Sequence, residues 1–313
     1  MRYLVAMLLL QVASLLFTYV ALRLEGHLPL NPEHFPGVPA DLAMNTAISF
    51  TTNTNWQDYS GEATMSYLSQ MLGLVIHNFL SAATGIALAV ALVRAISKRQ
   101  LKTIGNFYVD VTRAILHVLL PISIVGALIL VSQDAVQTLG SYPVAHTLEG
   151  PRQVIAHGPF ASQEVIKDLG NNGGGPFNAN SAHPFENPNG LTNQLEIFLE
   201  LVTPFALVVM FGRIFGNLRQ GIAIGAAMAI LLVAGIAVET GVEQAGNPAL
   251  TRLGVTQAGT AAMAGGNMEG KEVRFGPILS SEFVVATTGT GTGAVDAGHD
   301  SLTPIGGMVA LVM

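Results

Sequence analysis

Residues Gly170 to Pro188 read "GNNGGGPFNANSAHPFENP". Four glycines, five asparagines and three prolines in this stretch preclude a regular helix or a central strand, because glycine adds backbone entropy and proline removes donors. The stretch is a loop, and it sits in a chain of the opposite character. Half of the 313 residues are hydrophobic, 11% are charged and mean hydropathy is +0.50, whereas soluble domains carry about 25% charged residues. With no cysteine, neither a disulfide framework nor a thiolate metal site can form. The net charge of −6 includes no basic stripe, which argues against nucleic acid as a partner.

The apolar runs are long enough to cross a bilayer, which takes about 20 residues. They fall at Tyr3 to Leu22, Tyr67 to Val93, Tyr108 to Val131, Ile197 to Phe215 and Gly221 to Val238. The first is read as a span, its apolar core being too long for a cleaved signal peptide. Membrane lipid is therefore the expected surrounding. The connection "RAISKRQLK" holds Arg94, Lys98, Arg99 and Lys102 without an acid, and a later turn holds Arg213 and Arg219, which places both turns in the cytoplasm. The longer connections, Arg23 to Ser66, Ser132 to Gln194 and Glu239 to Glu282, carry most of the acids and fall on the outer side.

The glycine-rich stretch has counterparts. Runs that open on Pro39, Pro159 and Pro277 end in clusters of Thr, Asn and Gly: "PADLAMNTAISFTTNTNWQ", "PFASQEVIKDLGNNGGG" and "PILSSEFVVATTGTGTGAV". Proline is favourable at the first helical position, where its missing donor would be unpaired anyway. The three prolines are expected to mark short helices, each followed by an irregular segment, in a large internal repeat. Irregular backbone at membrane depth is tolerated only where it is buried in protein or lines a watery cavity. A dehydrated cation needs substitutes for its water shell, and a ring of backbone carbonyls supplies them. Such a ring needs backbone angles that glycine reaches freely and asparagine tolerates, as at Gly173, Gly174 and Gly293. Each short helix would point its partly negative C-terminal end at the cation. The stretch is polar, on this reading, because it replaces water.

Four separated motifs, "TNTNWQ" from Thr52, "GNNGGG" from Gly170 with "FNANSAHPFENP" after it, "NMEGKEVRFG" from Asn267, and "TTGTGTGAV" with "HDS" at His299 to Ser301, resemble the potassium-binding subunit family, KdpA, of the bacterial Kdp potassium-transporting ATPases. The resemblance implies an all-α polytopic membrane fold of the potassium-channel-like superfamily, with repeated membrane helix, pore helix, filter loop and membrane helix units. The repeats would cover residues 1–105, 106–218 and 219–313. Carried over by position, Asn53, Thr54 and Asn55 would line the first quarter of a selectivity filter, Asn172, Gly173 and Gly174 the second, and Thr292 and Gly293 the third. Gln57 and Asp296 are set beside the pathway. The family adds further N-terminal membrane segments and a fourth filter repeat, so the sequence reads as a fragment. The function implied is potassium binding and selection for an ATP-driven uptake complex of the bacterial plasma membrane, with filter loops entering from outside. The subunit would not be an enzyme by itself. Its partners would be a P-type ATPase catalytic subunit (KdpB-like) with KdpC-like and small KdpF-like subunits, and its only cofactor the transported K+.

Rival readings are weaker. Passive transporters of the Trk, Ktr and HKT type share the repeat logic, but "NGGGPFNANSAHPFENP" favours Kdp. Gly289, Gly291 and Ala294 satisfy a Gly-x-Gly-x-x-Ala dinucleotide pattern that lacks its context, and the sequence has neither a Gly-Lys-Ser/Thr loop nor an Asp-Lys-Thr-Gly motif. No nucleotide is expected in this chain. His77 and His117, in apolar spans, are read as hydrogen-bonded between helices. Glu196 and Glu200, one turn apart, are read either as attracting cations or as an interfacial, solvated pair. Pro121 and Pro204 are expected to kink their helices.

Overall fold

A computed structural model describes residues 1–97, 103–261 and 263–313; Lys98, Arg99 and Lys102, on which part of the orientation argument rests, lie outside the described residues. The helices are α1 (Arg2–Arg23), α2 (Ala40–Thr51), α3 (Ser69–Ser97), α4 (Phe107–Ser132), α5 (Phe160–Leu169), α6 (Gly190–Ile214), α7 (Leu218–Gln244), α8 (Gly276–Thr290) and α9 (Pro304–Val312). Five of these, α1, α3, α4, α6 and α7, are long and apolar enough to cross a membrane. The chain is a polytopic, multi-pass membrane protein.

The short helices follow from local chemistry. Pro39 and Pro159 are the cap residues just before α2 and α5, while Pro277 stands inside the first turn of α8. Two of the three prolines thus precede the helix instead of occupying its first position. Asn106 caps α4 by accepting from the backbone of Tyr108 and Val109. Asn189 and Thr192 form a reciprocal capping box that starts α6 at Gly190, not Ile197.

Packing relies on small residues, as expected where lipid offers no drive for apolar contact. A Cβ on Gly126 would lie 2.7 Å from Val165, so α4 and α5 touch through a glycine. Gly212 and Gly221 bring α6 and α7 equally close. One buried cluster joins Ala83, Ala87, Phe107, Val111, Leu130, Val165 and Leu199. Leu9, Leu92, Leu128 and Ile230 face outward, as apolar side chains of membrane-spanning helices do.

Several local expectations change. A two-stranded antiparallel hairpin, β1 (Val144–His146) and β2 (Arg152–Val154), interrupts the all-α pattern before α5. Both α3 and α4 contain a widened turn, Ser69–Val75 and Ile115–Leu119. The second lies just before Pro121, whose ring and missing donor break the regular ladder. The ring of His77 sits 3.1 Å from the Thr18 hydroxyl of α1 and 2.7 Å from the Gly73 carbonyl, an interhelical hydrogen bond as expected. His117 instead is exposed on the outside of α4. At the far end, Arg94 makes a bidentate pair with Asp110 at 2.7 and 3.0 Å, so the acid missing from its own connection comes from the next span. The Gly289, Gly291 and Ala294 pattern ends a helix where dinucleotide binding needs a loop that opens one.

Candidate functional site

Three loops leave the C-terminal ends of α2, α5 and α8, and one hydrogen-bond pattern recurs in each. The amide of Thr54 donates to the Ser49 carbonyl, that of Asn172 to Lys167, and that of Thr292 to Thr287. The side chains of the same three residues reach forward by equal steps: Ser49 Oγ donates to the Trp56 carbonyl at 3.0 Å, Lys167 Nζ to Gly174 at 3.0 Å, and Thr287 Oγ1 to Ala294 at 2.6 Å. These bonds fix a register. Asn53, Asn171 and Gly291 correspond, with φ of 67°, 48° and 70°, a left-handed turn that asparagine and glycine tolerate. The residues between turn and brace are Thr54 and Asn55, Asn172 and Gly173, and Thr292 and Gly293. In this register Asn172 and Gly173 stand opposite Thr292 and Gly293, and Gly174 supplies the braced carbonyl.

The loops meet. Asn172 Nδ2 donates to the Asn53 side chain and lies 3.3 Å from Asn55 Oδ1, while Asn53 Nδ2 donates to the Asn171 carbonyl at 2.9 Å. Asn171 Nδ2 donates in turn to Thr292 Oγ1 at 2.9 Å. A Cβ on Gly173 would lie 2.9 Å from the Thr292 carbonyl, so only glycine lets these strands of backbone approach so closely. Gln57 clamps the second loop, donating to the Gly175 carbonyl at 2.9 Å and accepting from the Gly175 amide at 2.7 Å. No hydrogen bond joins the first and third loops among the described residues. Thr51, Thr52, Asn53, Gly170 and Asn171 also border a cavity of about 660 Å³ beneath the loops, closed by Gln11, Thr84 and Thr203.

Behind the second loop lies a charged cluster that sequence reasoning missed. The Lys167 amine is fully buried and 2.8 Å from Glu164 Oε1. Glu164, Asp168 and Glu196 have carboxylate oxygens within 4.8 Å of one another, a set fit for a cation, and the ammonium of Lys167 stands beside it. Burial opposes the charge on Lys167, but Glu164, Asp168 and Glu186 outweigh it and hold the amine above its usual range. Burial, with Glu164 adding to it, pushes the Glu186 carboxyl up to about 8. Burial likewise raises Asp296, just past the third loop, to about 8. Glu196 and Glu200 are fully buried, which removes the interfacial, solvated reading. Helix α6 starts a full two turns before its apolar run, so both acids lie under α5. The sequence signal was present: Glu164, Lys167 and Asp168 follow a three-four spacing that puts them on one helical face.

The family described as the potassium-transporting ATPase A subunit, KdpA, matches residues 1–313. The potassium-transporting ATPase potassium-binding subunits of Rhodospirillum centenum and Acidobacterium capsulatum are 55% and 53% identical over 310 and 325 residues, each covering 99% of this chain and 53% and 55% of the relative. That of Bradyrhizobium diazoefficiens is 55% identical over 312 residues, covering 100% of this chain and 54% of the relative. The chain spans about half the length of these curated relatives. These relatives favour the ATPase-linked subunit over passive transporters of the Trk, Ktr and HKT type. From its three matched loops to its end-to-end sequence likeness, the chain belongs to the potassium-transporting ATPase A subunit family.

Proposed function

We propose that the three loops are quarters of a potassium selectivity filter, and that the chain binds K+ for an ATP-driven uptake complex. The carrying observation is the convergence of Asn53, Asn172, Gly173 and Thr292 at the C-terminal ends of three short helices. Helix C-termini favour cations, and left-handed turns at Asn53, Asn55, Asn171, Gly291 and Gly293 suit a backbone that offers successive carbonyls. In this reading Asn53, Thr54, Asn55, Asn172, Gly173, Thr292 and Gly293 supply ligands, Gly174 closes the second quarter, and Gln57 and Asp296 flank the path. The repeats run over residues 1–105, 106–218 and 219–313.

The relatives' names support an ATPase complex, in which a P-type catalytic subunit of KdpB type with KdpC-like and KdpF-like subunits would provide the energy. The loops would face outward from the bacterial inner membrane, with Arg94 and Arg213 on the cytoplasmic side. The test is a full-length subunit carrying these residues, assembled with its ATPase in a strain without other potassium uptake. Growth on limiting potassium, with ATP hydrolysis stimulated by K+ over Na+, is expected. ATP-independent uptake would overturn the ATPase reading, and equal stimulation by both ions would overturn the filter.

A further inference from the structure

The recurring brace has one exception in its chemistry. In the first and third loops a hydroxyl, from Ser49 or Thr287, donates to the carbonyl seven residues on. In the second loop that place is taken by the Lys167 ammonium, fully buried, 3.0 Å from the Gly174 carbonyl and 2.8 Å from Glu164. The site is built for it. Gly175 has φ of 157°, and a Cβ there would lie 2.7 Å from Glu186 Oε1 and 3.4 Å from Lys167 Nζ, so glycine keeps the amine's approach open. Ser181 donates to the same Glu164 oxygen. The Asp168 and Glu196 carboxylates, both buried, make no hydrogen bond, and the nearby Lys167 charge favours their ionised forms.

We propose that Lys167 is a positioning residue that sets ion selectivity, holding the second loop in register by its hydrogen bond to the Gly174 carbonyl. This rests on the filter reading above. The brace is the same device that Ser49 and Thr287 supply with neutral groups, here supplied by a longer, charged side chain. Glu164 is the acid in direct contact with the amine, at 2.8 Å, so the two can be neutralised together while the donor is kept or removed.

Two double variants in the full-length subunit, assembled in its complex, separate donor from charge. Glu164→Gln with Lys167→Met removes the donor together with its nearest acid, 2.8 Å away. It should accumulate normally, yet its preference for K+ over Rb+ in ATPase stimulation should fall by roughly tenfold, as for a lost charged donor. Glu164→Gln with Lys167→Gln keeps a neutral donor of similar reach and should stay within about threefold of the parent. A folded Lys167→Met double variant with parental selectivity would overturn the proposal. So would a folded Lys167→Gln double variant that loses selectivity, since the effect would then lie in the charge. Failure of both to accumulate would make the pair a folding element and equally overturn a selectivity role. The parent complex is the control: if it does not prefer K+, the filter reading fails, whatever the variants do.

Discussion

The second and third loops carry out one backbone task with opposite materials. Behind the third loop are threonine hydroxyls: Thr287 accepts from the Gly293 amide and donates to Ala294, and Thr290 pairs with Thr292 at 2.6 Å. Behind the second are a buried ammonium and several buried acids. A hydroxyl loses little on burial because it both donates and accepts. An ammonium in the same place needs a partner, and its partner needs it. The comparison teaches that equal geometry conceals unequal fragility.

The largest effect should fall on the charged side. Lys167→Met alone strands Glu164 and should destabilise the full-length subunit by about 3–5 kcal/mol, as for breaking a buried ion pair; thermal unfolding in detergent measures it, and a loss no larger than that of a threonine variant would erase the contrast. Next comes the seam between the loops. Gly173→Ala places a methyl against the Thr292 carbonyl and should cost about 1–3 kcal/mol as overpacking, with a fall in K+ over Rb+ preference in the same preparation. Thr287→Val removes a neutral brace and should cost about 1–2 kcal/mol, which equilibrium unfolding can place below the lysine variant.

A smaller signature is a dependence on pH. Burial raises Glu186 from 4.5 to about 8, so the folded state holds its proton where the unfolded chain has lost it. Stability from this group is full below about pH 4.5 and declines as pH rises through 8. Thermal stability should therefore drop from pH 5 to 9 (roughly) in the parent and less steeply in Glu186→Gln. Smallest of all, Arg94→Ala at the far end removes a partly exposed pair and should cost about 1 kcal/mol or less without altering ion preference.

Much of the architecture was legible because lipid demands long apolar runs and because Pro, Asn and Gly have fixed backbone meanings. Asn53, Asn55 and Asn171 all adopt the left-handed turn that their residue type suggests. What was not legible is which side of an apolar helix meets protein. His77 and His117 sit in similar sequence, yet one is buried against α1 and the other exposed, since only neighbours decide. Glu196 and Glu200 looked solvated because their burial depends on α5 and on the capped start of α6 at Asn189. In the second loop three successive glycines offer no side chain to align, and the amide of Asn172 and the reach of Lys167 set the register instead.

The paired bonds between Gln57 and Gly175 have a mechanical meaning. One bond permits rotation about its own line, whereas two side by side define a plane and resist twisting as well as pulling. The first and second loops are thereby riveted into a single plate. The third loop joins that plate at two separated points, Asn171 to the Thr292 hydroxyl and the Val295 amide to the Asn180 carbonyl, a seam pinned at its ends where the other is clamped at one residue.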